Sequence, residues 1–120
     1  MADIRDRKII TTSWDDGHPL DKKLCSLLKT CNIKGTIYTP LEYPNYDILN
    51  LEDLKNISKE FEIGSHTYSH QILPQLPKEE IMTELIKSKE KLEEITDHDV
   101  VSFCYPDGKY DQKVIDCVRK

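Results

Sequence analysis

The sequence lacks the marks of several common classes. No apolar run approaches the roughly 20 residues that a bilayer-spanning helix needs, so no membrane span is expected. The first eight residues, Met1 to Lys8, are charged and carry no apolar core of the secretory type, and a cytoplasmic location is expected. Positive charge is in deficit. Lys and Arg total 17 against 22 Asp and Glu, for a formal net charge of -5. Nucleic-acid binders usually present a basic stripe, so a phosphate backbone is excluded as the expected partner and a neutral sugar or amide is not. No CxxC pair occurs among Cys25, Cys31, Cys104 and Cys117. Without a secretion signal these read as reduced thiols. Cys25 and Cys31 fall on different faces of a predicted helix. There is no low-complexity segment, and at 120 residues there is room for one domain.

What is present alternates between two periodicities. The β-branched run Lys8–Trp14 reads as a strand. Leu20, Leu24, Leu27, Leu28 and Cys31 recur at helical spacing. Gly35–Thr39 reads as a second strand, ended by Pro40, and Asn50 as the cap of a helix carrying Leu51, Leu54 and Ile57. Phe61–Ser65 is a third strand. Pro77–Thr96 is the clearest helix, with Glu79 and Glu80 in its first turn. Val100–Tyr105 reads as a fourth strand, and Asp111 as the cap of a last helix with Val114, Ile115 and Val118. Leu41–Tyr46, flanked by Pro40 and containing Pro44, is the one irregular loop, and all four glycines are expected in strands or loops. Four βα units in sequence imply an α/β fold with a parallel sheet and right-handed crossovers, a barrel or part of one.

Two segments carry chemistry. One is Ser13-Trp14-Asp15-Asp16-Gly17 and the other is Gly64-Ser65-His66-Thr67-Tyr68-Ser69-His70. Asp-Asp-Gly alone is also a common turn, and two histidines four apart can be structural. Together they supply carboxylate and imidazole in the proportions of a hydrolytic site, three ligands for a divalent metal such as Zn2+ and one carboxylate left as a base. The residues do not say which aspartate takes which role. Every such residue falls at the C-terminal end of a predicted strand, where parallel α/β folds build their sites. His98, between two aspartates, reads as solvated, and His18 as an outside candidate for an acid or further ligand.

Ser-Trp-Asp-Asp-Gly resembles the TFDDG motif of the polysaccharide deacetylase family, the NodB-type or carbohydrate esterase 4 domain. His66-Thr67-Tyr68-Ser69-His70 resembles its H(S/T)xxH motif, and Cys104-Tyr105-Pro106-Asp107-Gly108 occupies the place of its RxPYG motif. The resemblance runs through essentially the whole chain. It implies about four βα units of a distorted (β/α) barrel, with Asp16, His66 and His70 holding the metal. Zn2+ is the expected metal, with Co2+, Mn2+ or Ni2+ as alternatives. Asp15 would be the general base and the backbone N–H of Asp107 an oxyanion donor. The implied activity is metal-dependent hydrolysis of a carbon–nitrogen amide bond, deacetylating an N-acetylated sugar or a related small amide.

The sequence departs from the pattern at Cys104, where the family has an Arg beside the catalytic carboxylate, and at Asp107, where it has Tyr. Cys104 is expected as a small buried hydrophobe at the floor of the site and not as a ligand. The family's last two motifs, which include a Leu-x-His general acid, are not found before Lys120. The chain is therefore read as a single deacetylase-like domain over 1–120, incomplete at its C-terminal side. Its open sheet edges are expected to be covered by further sequence or by a second copy. The alternative function is a metal-binding half-domain without catalysis.

Overall fold

The computed structural model describes residues 4–120. A parallel three-stranded sheet forms its centre. Strand β1 (Ser13–Trp14) pairs with β2 (Thr36–Thr39), and β2 with β3 (Glu62–Ser65), in the spatial order β1-β2-β3. Helix α1 (Asp21–Thr30) connects the first pair and α2 (Leu51–Ile57) the second. Helix α3 (Lys78–Thr96) follows β3, and α4 (Gln112–Val118) follows a 3₁₀ turn at Pro106–Gly108.

The helix signals act as the sequence predicts. The Asn50 side chain accepts from the Asp53 N–H at 2.8 Å and the Asp111 side chain from the Val114 N–H at 2.9 Å, each satisfying a donor at a helix start. The long helix starts after Pro77 and stops where Asp97 takes a left-handed φ of 57°. Cys25 is buried and Cys31 exposed, and all four cysteines are free thiols.

Two expected strands are shorter than their sequence. The first reduces to Ser13–Trp14, extended by one bond from the Thr36 N–H to the Thr12 carbonyl. After α1 the chain comes alongside Thr12 at Lys34 and Gly35, where the Thr12 hydroxyl donates to the Lys34 carbonyl at 2.8 Å. Residues 8–11 therefore have no sheet partner, and Ile9 and Ile10 stand 75% and 88% exposed. The fourth strand is a single parallel bridge between Ser65 and Phe103. At Val100 the backbone is taken by helix side chains instead of a ladder. The Lys89 ammonium donates to its carbonyl and its N–H donates to Glu93. The Val100 N–H first, and then a hydrogen bond from the Lys89 ammonium at 2.9 Å, hold the Glu93 carboxyl below its usual range.

Apolar burial falls into two clusters. Cys25, Leu28, Ile37, Leu54, Phe61, Ile63, Leu92 and Val100 form the larger one, between sheet and helices. Leu73, Ile81, Val114 and Cys117 form the smaller, with Phe103 and Tyr105 packed against it. Helix α3 contributes Leu92 to the first and Ile81 to the second, so it fixes the α4 end of the molecule relative to the sheet. Gly64 sits at the closest approach within the sheet. A Cβ there would meet the Tyr38 ring at 2.5 Å and the Ser102 hydroxyl at 2.7 Å.

Candidate metal centre

The first segment leaves β1 through a tight reversal. Asp16 and Gly17 both adopt left-handed φ, 76° and 61°. Gly17 is required twice over. Its φ disfavours any side chain, and a Cβ would lie 2.1 Å from the Thr39 hydroxyl. The Gly17 carbonyl accepts from the Leu49 N–H at 2.8 Å, which ties the reversal to the approach to α2. The result turns the Asp16 carboxylate back over the sheet's C-terminal end.

His66 follows β3 directly and is buried, and His70 closes the loop four residues on. Thr67 and His70 also take left-handed φ, 65° and 55°. Such values are rare for a β-branched residue. They compress the loop so that both imidazoles face one point. One carboxylate oxygen, Oδ1 of Asp16, lies 3.2 Å from His66 Nε2 and 3.1 Å from His70 Nε2. One ligand atom from each of the three residues lies within 4.8 Å of the others. The Asp16 side chain is half exposed, so the cluster opens to solvent on one side.

The donor set suits a divalent cation. His66 Nδ1 lies 2.8 Å from the Cys104 carbonyl, an atom that can only accept. The proton of a neutral His66 is therefore on Nδ1, and Nε2 presents its lone pair toward a carboxylate oxygen. Two lone pairs facing each other require a proton or a metal between them. A backbone acceptor behind a histidine is the usual device that orients it as a ligand. Two imidazoles and a carboxylate leave a position free, as in catalytic zinc sites.

The remaining candidates stand around this centre. Asp15 is exposed, and its Oδ1 accepts a weak bond from the Cys104 thiol at 3.5 Å. Burial, and then the charge and hydrogen bond of Asp15, push that thiol up to about 11, so it stays protonated and acts as a neutral donor. It lies outside the cluster of ligand atoms. Phe103 and Tyr105 point the other way and meet edge to face at 5.2 Å. Asp107 sits exposed at the tip of the 3₁₀ turn with φ 55°. His18 lies in the turn before α1, where its Nδ1 accepts from the Leu20 N–H at 3.0 Å, and His98 is exposed after α3. Neither joins the centre.

Three neighbours were not singled out by the sequence. The Tyr43 ring stacks on His70 with centroids 4.1 Å apart and planes 17° from parallel. Burial, with the negative charges of Asp16 and Asp107 nearby, raises its phenol above the usual range. Asp21, in the first turn of α1, is buried with Oδ2 unpartnered, and burial raises its carboxyl. Glu84, on α3, accepts from the Tyr68 and Ser69 N–H groups at 3.0 and 2.9 Å and from the Ser69 hydroxyl at 2.8 Å. Tyr43 lies in the irregular loop the prolines mark, whereas Glu84 is one of many acids on a helix and carries no local signal.

The polysaccharide deacetylase family model matches residues 2–120. The chain belongs to that family. No curated protein matches it. Among solved structures, the Streptococcus pyogenes deacetylase PplD in complex with acetate superposes with a TM-score of 0.89 at 20% identity, covering 98% of this chain and 54% of that one. BA3943 of Bacillus anthracis, a CE4 family pseudoenzyme, gives 0.82 at 22% identity, covering 95% and 41%. A family 4 carbohydrate esterase of Streptomyces lividans, in complex with acetate, gives 0.80 at 15%, covering 92% and 57%. At these identities the likeness establishes the fold, an α/β fold with a parallel sheet of the deacetylase barrel type. The chain spans about half the length of the structures it matches. No helix among the described residues is long and apolar enough to cross a membrane.

Proposed function

We propose that the protein is a metal-dependent hydrolase of carbon–nitrogen amide bonds that removes an acetyl group from an N-acetylated sugar or a related small amide. The observation that carries this reading is the single Asp16 oxygen set between two imidazole Nε2 atoms, one of which has its lone pair fixed by a backbone carbonyl. Asp16, His66 and His70 would hold the metal, with Zn2+ the first candidate. Bound there, a divalent metal would lower the pKa of a water and polarise the amide carbonyl.

The chain's own groups supply the rest. His66 keeps its proton on Nδ1, against the Cys104 carbonyl, and so keeps Nε2 free. Asp15, next to Asp16 and exposed, takes the proton of the attacking water as general base. The protonated Cys104 thiol orients Asp15 through one weak hydrogen bond. The Asp107 N–H, on the turn beside Tyr43, is offered to the negative charge that develops on the carbonyl oxygen. The acidic surface and the half-open centre fit a neutral acetamido group better than a phosphorylated ligand.

A second reading is favoured by one specific observation. Among the described residues no third histidine joins the centre, since His18 and His98 lie outside the cluster of ligand atoms. On that reading the chain binds metal and does not turn over. Incubation of the Zn2+-loaded chain with a chitooligosaccharide, with released acetate as the readout, separates the two. Acetate release above a metal-stripped control supports hydrolysis. Stoichiometric metal without acetate release from that sugar or from small N-acetyl amides supports the second reading.

A further inference from the structure

We infer that Glu84 is the positioning residue that holds His70, and the aromatic ring stacked on it, in place for the metal; the inference rests on the metal-site reading above. The His66–His70 loop is anchored at its first end by β3 and by the Nδ1 contact of His66. His70 has no such anchor. Among the described residues its one side-chain hydrogen-bond contact is the Asp16 oxygen it would share with the metal.

The loop's middle is fixed instead from α3. One Glu84 oxygen accepts from two consecutive backbone N–H groups, Tyr68 and Ser69, and the other accepts from the Ser69 hydroxyl. A carboxylate gathering three donors makes stronger bonds than a neutral acceptor would. With Tyr68 and Ser69 directed toward α3, the Tyr68 carbonyl faces the opposite way. There it accepts from both the Leu41 and Glu42 N–H groups, at 2.8 and 2.9 Å. The next residue is Tyr43, whose ring lies on His70. Glu84 thus holds His70 by two routes, through Ser69 along the chain and through Tyr68, Leu41 and Glu42 to the stacked ring.

The helix is itself registered on the sheet one turn later. Ser88 lies four residues on, on the same face as Glu84. Its hydroxyl meets the Ser65 hydroxyl at 2.7 Å, both buried, at the end of the strand that leads into His66. The same face of α3 therefore sets both the strand end that carries the first histidine and the loop that carries the second.

The test uses Glu84→Ala, which removes all three acceptor contacts at a position where Ala is a good helix former, and Glu84→Gln, which keeps a backbone acceptor and can donate to the Ser69 oxygen. Ser69→Ala removes one contact and serves if the first variant does not fold. Zn2+ alone is titrated calorimetrically, and amide hydrogen exchange is followed on the metal-free chain. Loss of an outer partner of a metal-ligating histidine typically costs about 10- to 100-fold in metal affinity. Glu84→Ala is expected to lose affinity in that range and to lose exchange protection at residues 41, 42, 68 and 69, with the sheet amides unchanged. Glu84→Gln is expected within about threefold of the parent. Unchanged Zn2+ affinity in Glu84→Ala overturns the inference, as does a Glu84→Gln variant as weak as Glu84→Ala. If the parent itself takes up no Zn2+, the metal reading fails. The anchoring by Glu84 then stands if protection is lost only at those four amides and falls if it is not.

Discussion

The loops that carry Asp16 and the two histidines are fixed from several sides, while the Pro106–Gly108 turn is fixed from one. Gly17 abuts Thr39 and bonds to Leu49, and the His66–His70 loop is held by the Cys104 carbonyl, by Glu84 and by the Leu41–Glu42 amides. At the third segment Pro106 is buried, but Asp107 and Gly108 stand in solvent, and a Cβ on Gly108 would meet nothing within 4 Å. The difference separates two tasks. Groups that would hold a metal are set in advance by packing and hydrogen bonds. Groups that would complete catalysis, the Asp15 base and the Asp107 donor, have one weak contact or an exposed backbone behind them. Metal uptake should therefore tolerate change in the third segment that hydrolysis does not.

The largest effects expected come from the adjacent aspartates. Asp15→Asn should retain the metal and lower any acetate release by roughly 10²- to 10⁴-fold, the usual worth of a general base. Asp16→Asn should lose the metal. Metal analysis and acetate release on both variants check this, and metal lost from the first but kept by the second would reverse the two roles.

A pair of glycines sharpens the same contrast. Gly17 and Gly108 have nearly equal φ, 61° and 64°, so a side chain costs about 1–2 kcal/mol at each from backbone strain alone. Only Gly17 adds a clash, worth about 1–3 kcal/mol more in a well-packed setting. Urea denaturation should show Gly17→Ala destabilised by roughly 2–5 kcal/mol and Gly108→Ala by about 1–2 kcal/mol. Equal losses would mean that the first loop is no better fixed than the third.

A smaller effect lies away from both loops. Burial of the inner face of α1, with the charge of Asp21 adding to it, pushes the Cys25 thiol from 9.0 up to about 11. The folded chain then holds that proton more tightly than the unfolded one. Its contribution to stability is complete below about pH 9 and is lost as pH rises through about 11. Denaturation midpoints between pH 8 and 11 should fall more steeply for the parent than for Cys25→Ala. Parallel slopes would remove Cys25 as the cause.

Much of this was legible in the residues. The caps Asn50 and Asp111, the long helix and the three paired strands follow from local signals, because a side-chain cap or an apolar period acts within a few residues. That one of the paired aspartates would meet His66 and His70 follows from the placement of both segments at strand ends, and the choice of Asp16 over Asp15 comes from the family resemblance alone. The ends of β1 and the fourth strand did not follow, because pairing depends on which neighbour is alongside. Ile9 and Ile10 look like strand and have no partner, and Val100 gives its backbone to Lys89 and Glu93. Glu84 and Tyr43 escaped for a related reason. Their roles come from segments that are distant in sequence and meet only in the fold.

Metal stoichiometry bears most directly on the centre formed by Asp16, His66 and His70. The purified chain, loaded with Zn2+ and desalted, should carry one metal per molecule by elemental analysis, and the His66→Ala, His70→Ala double variant, folded by circular dichroism, should carry none. Full stoichiometric metal in the folded double variant would contradict that ligand set.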